Sequence, residues 1–99
     1  MKISIKDYIA VRNFLADDFD KIMDLILEAD HYICCLFEVD EIILELSKDP
    51  EDGYHTLCAG IPYKRFGGDL LLDRFDDLWF IDNLHRFKGK VLFDLVIEG

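Results

Sequence analysis

The stretch Glu38-Val39-Asp40-Glu41-Ile42-Ile43-Leu44-Glu45-Leu46-Ser47-Lys48 decides how the first half of the chain is read. Four of its five charged residues, Glu38, Glu41, Glu45 and Lys48, recur at steps of three and four, while Val39, Ile43 and Leu46 fill another face. That is the 3.6-residue period of an amphipathic helix. Glu41, Glu45 and Lys48 also sit at spacings that permit local ion pairing. Upstream the pattern continues, with Asp17, Lys21, Asp24, Glu28 and His31 polar and Ile22, Ile26, Ala29, Ile33 and Phe37 apolar. One helix of about 30 residues would be longer than most in globular domains. Asp30 is a good N-cap, so the spacing predicts two helices, over 17–29 and 31–47. Tyr32 to Phe37 also suits a buried strand, because periodicity does not separate the two states over so short a run.

Working outward, Ser4 followed three residues later by Asp7 is a weak form of the capping box and predicts a helix over 4–15. After the turn-forming Lys48-Asp49-Pro50-Glu51-Asp52-Gly53, the composition of 54–59 is that of a short strand. Asp69, following Gly67-Gly68, caps a predicted helix over 69–84, whose apolar stripe is Leu71, Phe75, Leu78 and Ile81. Val, Phe, Leu and Ile dominate 90–98 and predict a closing strand. A hairpin of 78–87 with 90–97 across Lys88-Gly89 is the alternative. Either way the 99 residues form one α+β domain, helix-rich at the front.

The composition, 52% hydrophobic with a formal net charge of −10, implies a core under a strongly anionic surface. That surface repels nucleic acid and anionic membranes and favours basic partners. The apolar run at Tyr32–Phe37 is far short of the roughly 20 residues a membrane helix needs. The opening Met1–Asp7 is charged before any apolar run develops, unlike a secretory signal. Three cysteines, Cys34, Cys35 and Cys58, are a poor disulfide framework and point to a reducing, cytoplasmic setting.

Charge is unevenly spread. Residues 17–52 balance to −11, residues 1–16 to +2 and residues 53–99 to −1. The acid therefore belongs to one segment, and the candidate partner-binding residues are Asp24, Glu28, Glu38, Glu41, Glu45, Asp49, Glu51 and Asp52. A focused anionic face speeds encounter with a cationic partner and offers carboxylates to Arg. The competing explanation is a solvated face that keeps the domain soluble.

Other chemistry is thinly represented. His31-x-x-Cys34 and His55-x-x-Cys58 share a spacing that two pairs could turn into a tetrahedral zinc site. The apolar surroundings of Cys34 and Cys35 favour core packing instead, so no metal or other cofactor is expected. The Asp49–Gly53 turn has Lys48 where a calcium loop needs an acidic ligand. Gly67-Gly68-Asp69 lacks the ending of a phosphate loop. No nucleophile motif is present, and a thiol–imidazole pair such as Cys58 with His55 or His85 is of a kind that three His and three Cys produce by chance.

Ser4-Ile5-Lys6-Asp7-Tyr8 and the Pro50-Glu51-Asp52-Gly53 turn resemble patches of colicin nuclease immunity proteins. The resemblance implies a small acidic inhibitor of a nuclease toxin. The tyrosine pair those proteins carry after the turn is missing, and the strand-like end departs from their all-helical form. The leading expectation is an acidic domain, not an enzyme, that inhibits a basic partner such as a nuclease toxin or a nucleic-acid-binding protein. The alternatives are self-association, as in a homodimer, through the aromatic second half, and a small metal or thiol enzyme.

Overall fold

The structure, a computed structural model, describes residues 2–96. It is α+β, as the sequence implies, with a four-stranded sheet in the order β1-β2-β3-β4. The strands are β1 (Lys2–Ile5), β2 (Glu41–Lys48), β3 (His55–Ile61) and β4 (Val91–Leu95). β1 runs parallel to β2, β2 antiparallel to β3, and β3 parallel to β4. Between β1 and β2 lie α1 (Tyr8–Leu15), a 3-10 turn (Ala16–Asp18) and α2 (Phe19–Phe37). Between β3 and β4 lie α3 (Gly68–Phe75), a π turn (Asp76–Phe80), the short α4 (Ile81–Asn83) and a 3-10 turn (Leu84–Phe87).

The alternation of β2 explains its role. Ile42 and Leu44 are buried, and they share one sheet face with Leu57, Ala59, Ile61, Val91 and Phe93. Both helical connections cover that face and join one core with Val11, Leu15, Ile26, Ile33, Phe75 and Phe87. The two crossovers step the same way across the sheet while their strands run oppositely. With helices on one face they therefore have opposite hands, so one departs from the strong right-handed preference of such connections.

Three expected elements are corrected. Ser4 lies in β1, and the first helix starts at Tyr8, capped by Asp7, whose carboxylate accepts from Ala10 N–H at 3.2 Å. The second helix runs unbroken through Asp30 to Phe37, because Ile22, Ile26, Ala29, Ile33 and Phe37 form a continuous buried stripe. Residues 31–37 are thus helix. It ends at Glu38, which adopts a left-handed φ of 54° while its N–H donates to Cys34 C=O at 3.1 Å. Residues 41–48 are strand, so the expected helix over 31–47 covers the end of α2 and most of β2. The spacing of Glu38, Glu41, Glu45 and Lys48 suits a helix, but Ile42, Leu44 and Leu46 also recur at every second residue, against Glu41, Glu45 and Ser47 with Ile43 the one apolar residue among them. Pairing with β1 and β3 selects that second period.

The strand expected at 54–59 is β3, shifted by a residue or two, and the closing strand is β4. Positions 97 and 98 of the latter expectation lie outside the described residues. Residues 78–87 are helical and form no hairpin with β4.

Candidate functional site

The π turn determines what the third helical segment shows to solvent. Its wider winding lets the adjacent Trp79 and Phe80 both reach the core after Phe75. Phe75, Phe80, Phe87 and Phe93 then meet ring to ring at 5.1–6.0 Å between centroids. Leu78 and Ile81, expected in the buried stripe, are expelled. Leu70 is 74% exposed, Leu78 55%, Ile81 59% and Leu84 46%, and Phe66 in the preceding loop is fully exposed.

These apolar side chains lie beside a line of acid. The solvent side of the segment repeats in steps of four, as Asp69/Leu70, Asp73/Arg74 and Asp77/Leu78, and continues into Ile81/Asp82 and Leu84. Rows at i, i+4, i+8 are the ridges by which helices pack on one another. One row carries Asp69, Asp73 and Asp77, and the next Leu70, Arg74 and Leu78. Burial, reinforced by Asp73 and then Asp77, pushes the Asp76 carboxyl above its ordinary value. Among the described residues no cation pairs with Asp69, Asp73, Asp76, Asp77 or Asp82.

Five of the thirteen acids of residues 17–52 are arranged differently. Arg86 bonds Glu28 at 3.0 Å, Arg65 approaches Glu38 at 3.5 Å, and Lys88 and Lys90 hold Asp18 at 2.8 and 3.2 Å. Lys6 lies 3.1 Å from Glu45 and Lys2 3.9 Å from Glu41, which also accepts from the Ser4 hydroxyl at 2.6 Å. Every one of these cations comes from outside 17–52. Exposed pairs of this kind contribute little to stability, but they cancel charge locally.

The eight expected binding residues do not share one face. Asp24 and Glu28 lie on α2, beside a cleft of about 440 Å³ that Lys21, Leu25 and Arg86 also line. Glu38 caps α2. Glu41 and Glu45 stand on the open face of the sheet, away from the helices. Asp49, Glu51 and Asp52 form the β2–β3 turn, where Asp49 accepts from Glu51 N–H at 2.8 Å and Asp52 from Tyr54 N–H at 2.9 Å. The sequence signal for the other surface was the run Asp69–Asp82 itself, five acids to one base. Lys64, Arg65, Arg86, Lys88 and Lys90 conceal it in a linear charge balance.

The histidines and cysteines are dispersed. His31, Cys34 and Cys35 are exposed on α2. His55 faces Phe14 on the helical side at 6.4 Å between rings, whereas Cys58 points to the open sheet face. The two His-x-x-Cys pairs therefore do not converge, and Cys58 meets neither His55 nor His85. Among the described residues no group of three His, Cys, Asp or Glu is placed to hold a metal. On the open face, Cys58 lies between shallow depressions of about 420 and 240 Å³, with Ser47 shared by both. Burial raises the Cys58 thiol pKa, with Asp94 and Glu45 adding to the effect, which disfavours the nucleophilic thiolate. Gly60 leaves room there for Val96, whose methyl would collide with any β-carbon at that position.

No described helix is long and apolar enough to cross a membrane. No family model, curated protein or solved structure matches the chain.

Proposed function

We propose that the chain is an acidic protein-binding domain that inhibits a basic partner, of the nuclease-toxin or nucleic-acid-binding kind. The single observation that carries this reading is the Asp69–Asp73–Asp77 row, without a cationic partner among the described residues, beside exposed Leu70, Leu78, Ile81 and Leu84. An exposed apolar patch rimmed by charge is the usual mark of a protein contact. The sign of the rim selects a cationic partner and repels anionic ones. Carboxylates on this face occupy the role that phosphates play for such a partner, so binding here competes with nucleic acid.

Self-association through the aromatic second half is less well supported. Phe75, Trp79, Phe80 and Phe87 are consumed by the core. A second copy would also set its own aspartates against those of the first.

The test is capture of the partner from host lysate by the wild-type domain and by two triple variants. Asp69→Asn/Asp73→Asn/Asp77→Asn abolishes capture of a basic protein, and Glu38→Gln/Glu41→Gln/Glu45→Gln retains it. The opposite ranking, or capture unaffected by high salt, overturns the proposal.

A further inference from the structure

We infer that the partner's docking element is a cationic amphipathic α-helix laid along the Leu70–Leu84 ridge. The inference rests on the reading of that ridge as the binding face and adds the conformation of what binds it.

The first support is the form of the surface. The exposed apolar residues recur along one uninterrupted helical segment, from α3 through the π turn and α4 to the start of the 3-10 turn. Leu70, Arg74 and Leu78 occupy one i, i+4, i+8 row, the type of ridge that interlocks with another helix. Here both leucines are exposed, with no helix packed on them among the described residues.

The second is backbone accounting. A segment that covers this ridge loses water from its own N–H and C=O groups, and the ridge offers side chains but no free main-chain ladder. The neighbouring sheet edge does not supply one. Leu57 N–H donates to Lys90 C=O, and Val96 N–H donates to Ile61 C=O. This register turns the main chain of Val91, Phe93 and Leu95 outward. Val91 and Phe93 are nevertheless buried, and Leu95 N–H is taken by Asp94 Oδ1 at 2.8 Å. A strand therefore has nothing to pair with here, whereas a helix arrives with its backbone bonds already made.

The third is charge. Asp69, Asp73 and Asp77 line one flank of the ridge and Asp82 continues it, so the helix carries Lys or Arg beside its apolar stripe. A second copy of this chain would bring one cation on its own ridge, Arg74, against four aspartates.

Three synthetic probes added to isotope-labelled protein test the idea by residue-resolved NMR titration. They are a Leu/Lys peptide with helical period, a peptide of the same composition with strictly alternating Leu and Lys, and oligolysine. The helical peptide perturbs residues 66–84 and binds at least ten-fold more tightly than the other two. Leu78→Ser/Ile81→Ser removes that ten-fold preference without changing the melting transition. If all three probes bind the ridge equally, the helical inference falls while the acidic face stands. If no probe perturbs 66–84, or the perturbations fall on the open sheet face, both fall.

Discussion

Arg86 Nη2 lies 3.0 Å from Glu28 Oε2, joining two residues 58 positions apart in sequence. The same guanidinium donates to Asn83 Oδ1 at 2.9 Å, which holds it against α2. This contact exemplifies the electrostatic plan of the domain. Among the described residues, Lys2, Lys6 and cations of the second half pair with five of the thirteen acids of residues 17–52, namely Asp18, Glu28, Glu38, Glu41 and Glu45. Among the described residues the aspartates of the third helical segment have no cationic partner.

The π turn makes a sharp prediction about which apolar residues hold the fold. Leu78→Ala and Ile81→Ala change unfolding free energy by no more than about 0.5 kcal/mol, as exposed substitutions do. Trp79→Ala and Phe80→Ala cost about 3–5 kcal/mol, the usual range for large core aromatics. Chemical denaturation distinguishes them, and comparable losses at Leu78 and Trp79 would restore the simple α-helical stripe.

Asp30 sits inside α2 with Oδ1 buried and without a hydrogen-bond partner among the described residues, and burial pushes its carboxyl above the ordinary value of 3.8. Asp30→Ala stabilises the domain by about 1 kcal/mol at neutral pH, through better helix propensity and removal of an unsatisfied group. A carboxyl whose folded pKa is raised favours the folded state when protonated. Its contribution is therefore full below 3.8 and lost as pH rises through the raised value. The advantage of Asp30→Ala accordingly shrinks as the solution is acidified, which denaturation at several pH values reads directly.

Asp18 shows the opposite sign. Hydrogen bonds from Lys88 and then Lys90 lower its pKa, so its stabilising contribution is present above 3.8 and lost as pH falls through the depressed value. Asp18→Asn melts at a lower temperature than wild type at pH 7, and the two converge in strong acid. Rising salt narrows the gap as well, because the carboxylate and both lysines are solvent-screened. A gap independent of pH and salt would contradict the ion-pair account.

Glu38 closes α2 in the left-handed region, where a side chain is strained and glycine is not. Glu38→Gly raises stability by about 1 kcal/mol, less whatever the exposed Arg65 pair contributes. Denaturation of Glu38→Gly beside Arg65→Ala separates the two effects.

What could be read from the sequence follows from how local the deciding forces are. The continuous stripe from Ile22 to Phe37 announces helix, and the turn at Asp49–Gly53 is visible in its residue types. Strand β2 is not resolvable locally, because Glu38, Glu41, Glu45 and Lys48 fit a helix while Ile42, Leu44 and Leu46 fit a strand. Only pairing to Ile3–Ile5 and Leu57–Gly60 decides it. Nor is the π turn visible, since which of Leu78, Trp79, Phe80 and Ile81 faces inward depends on the Phe87 and Phe93 rings they meet. The charged face was hidden for the same reason. Net charge along a segment does not say which acids a distant Arg65, Arg86 or Lys88 will neutralise.

The central claim, that the third helical segment carries a row of acid without a cationic partner among the described residues, is tested most directly by mapping surface potential residue by residue. Paired cationic and anionic paramagnetic cosolutes enhance amide relaxation in proportion to their local concentrations, and their ratio reports the potential at each amide. The arrangement described here predicts the strongest excess of the cationic probe along Asp69–Asp82, with a weaker excess over Glu38–Asp52. The strongest excess over Glu38–Asp52, with the third helical segment near neutral, would contradict it.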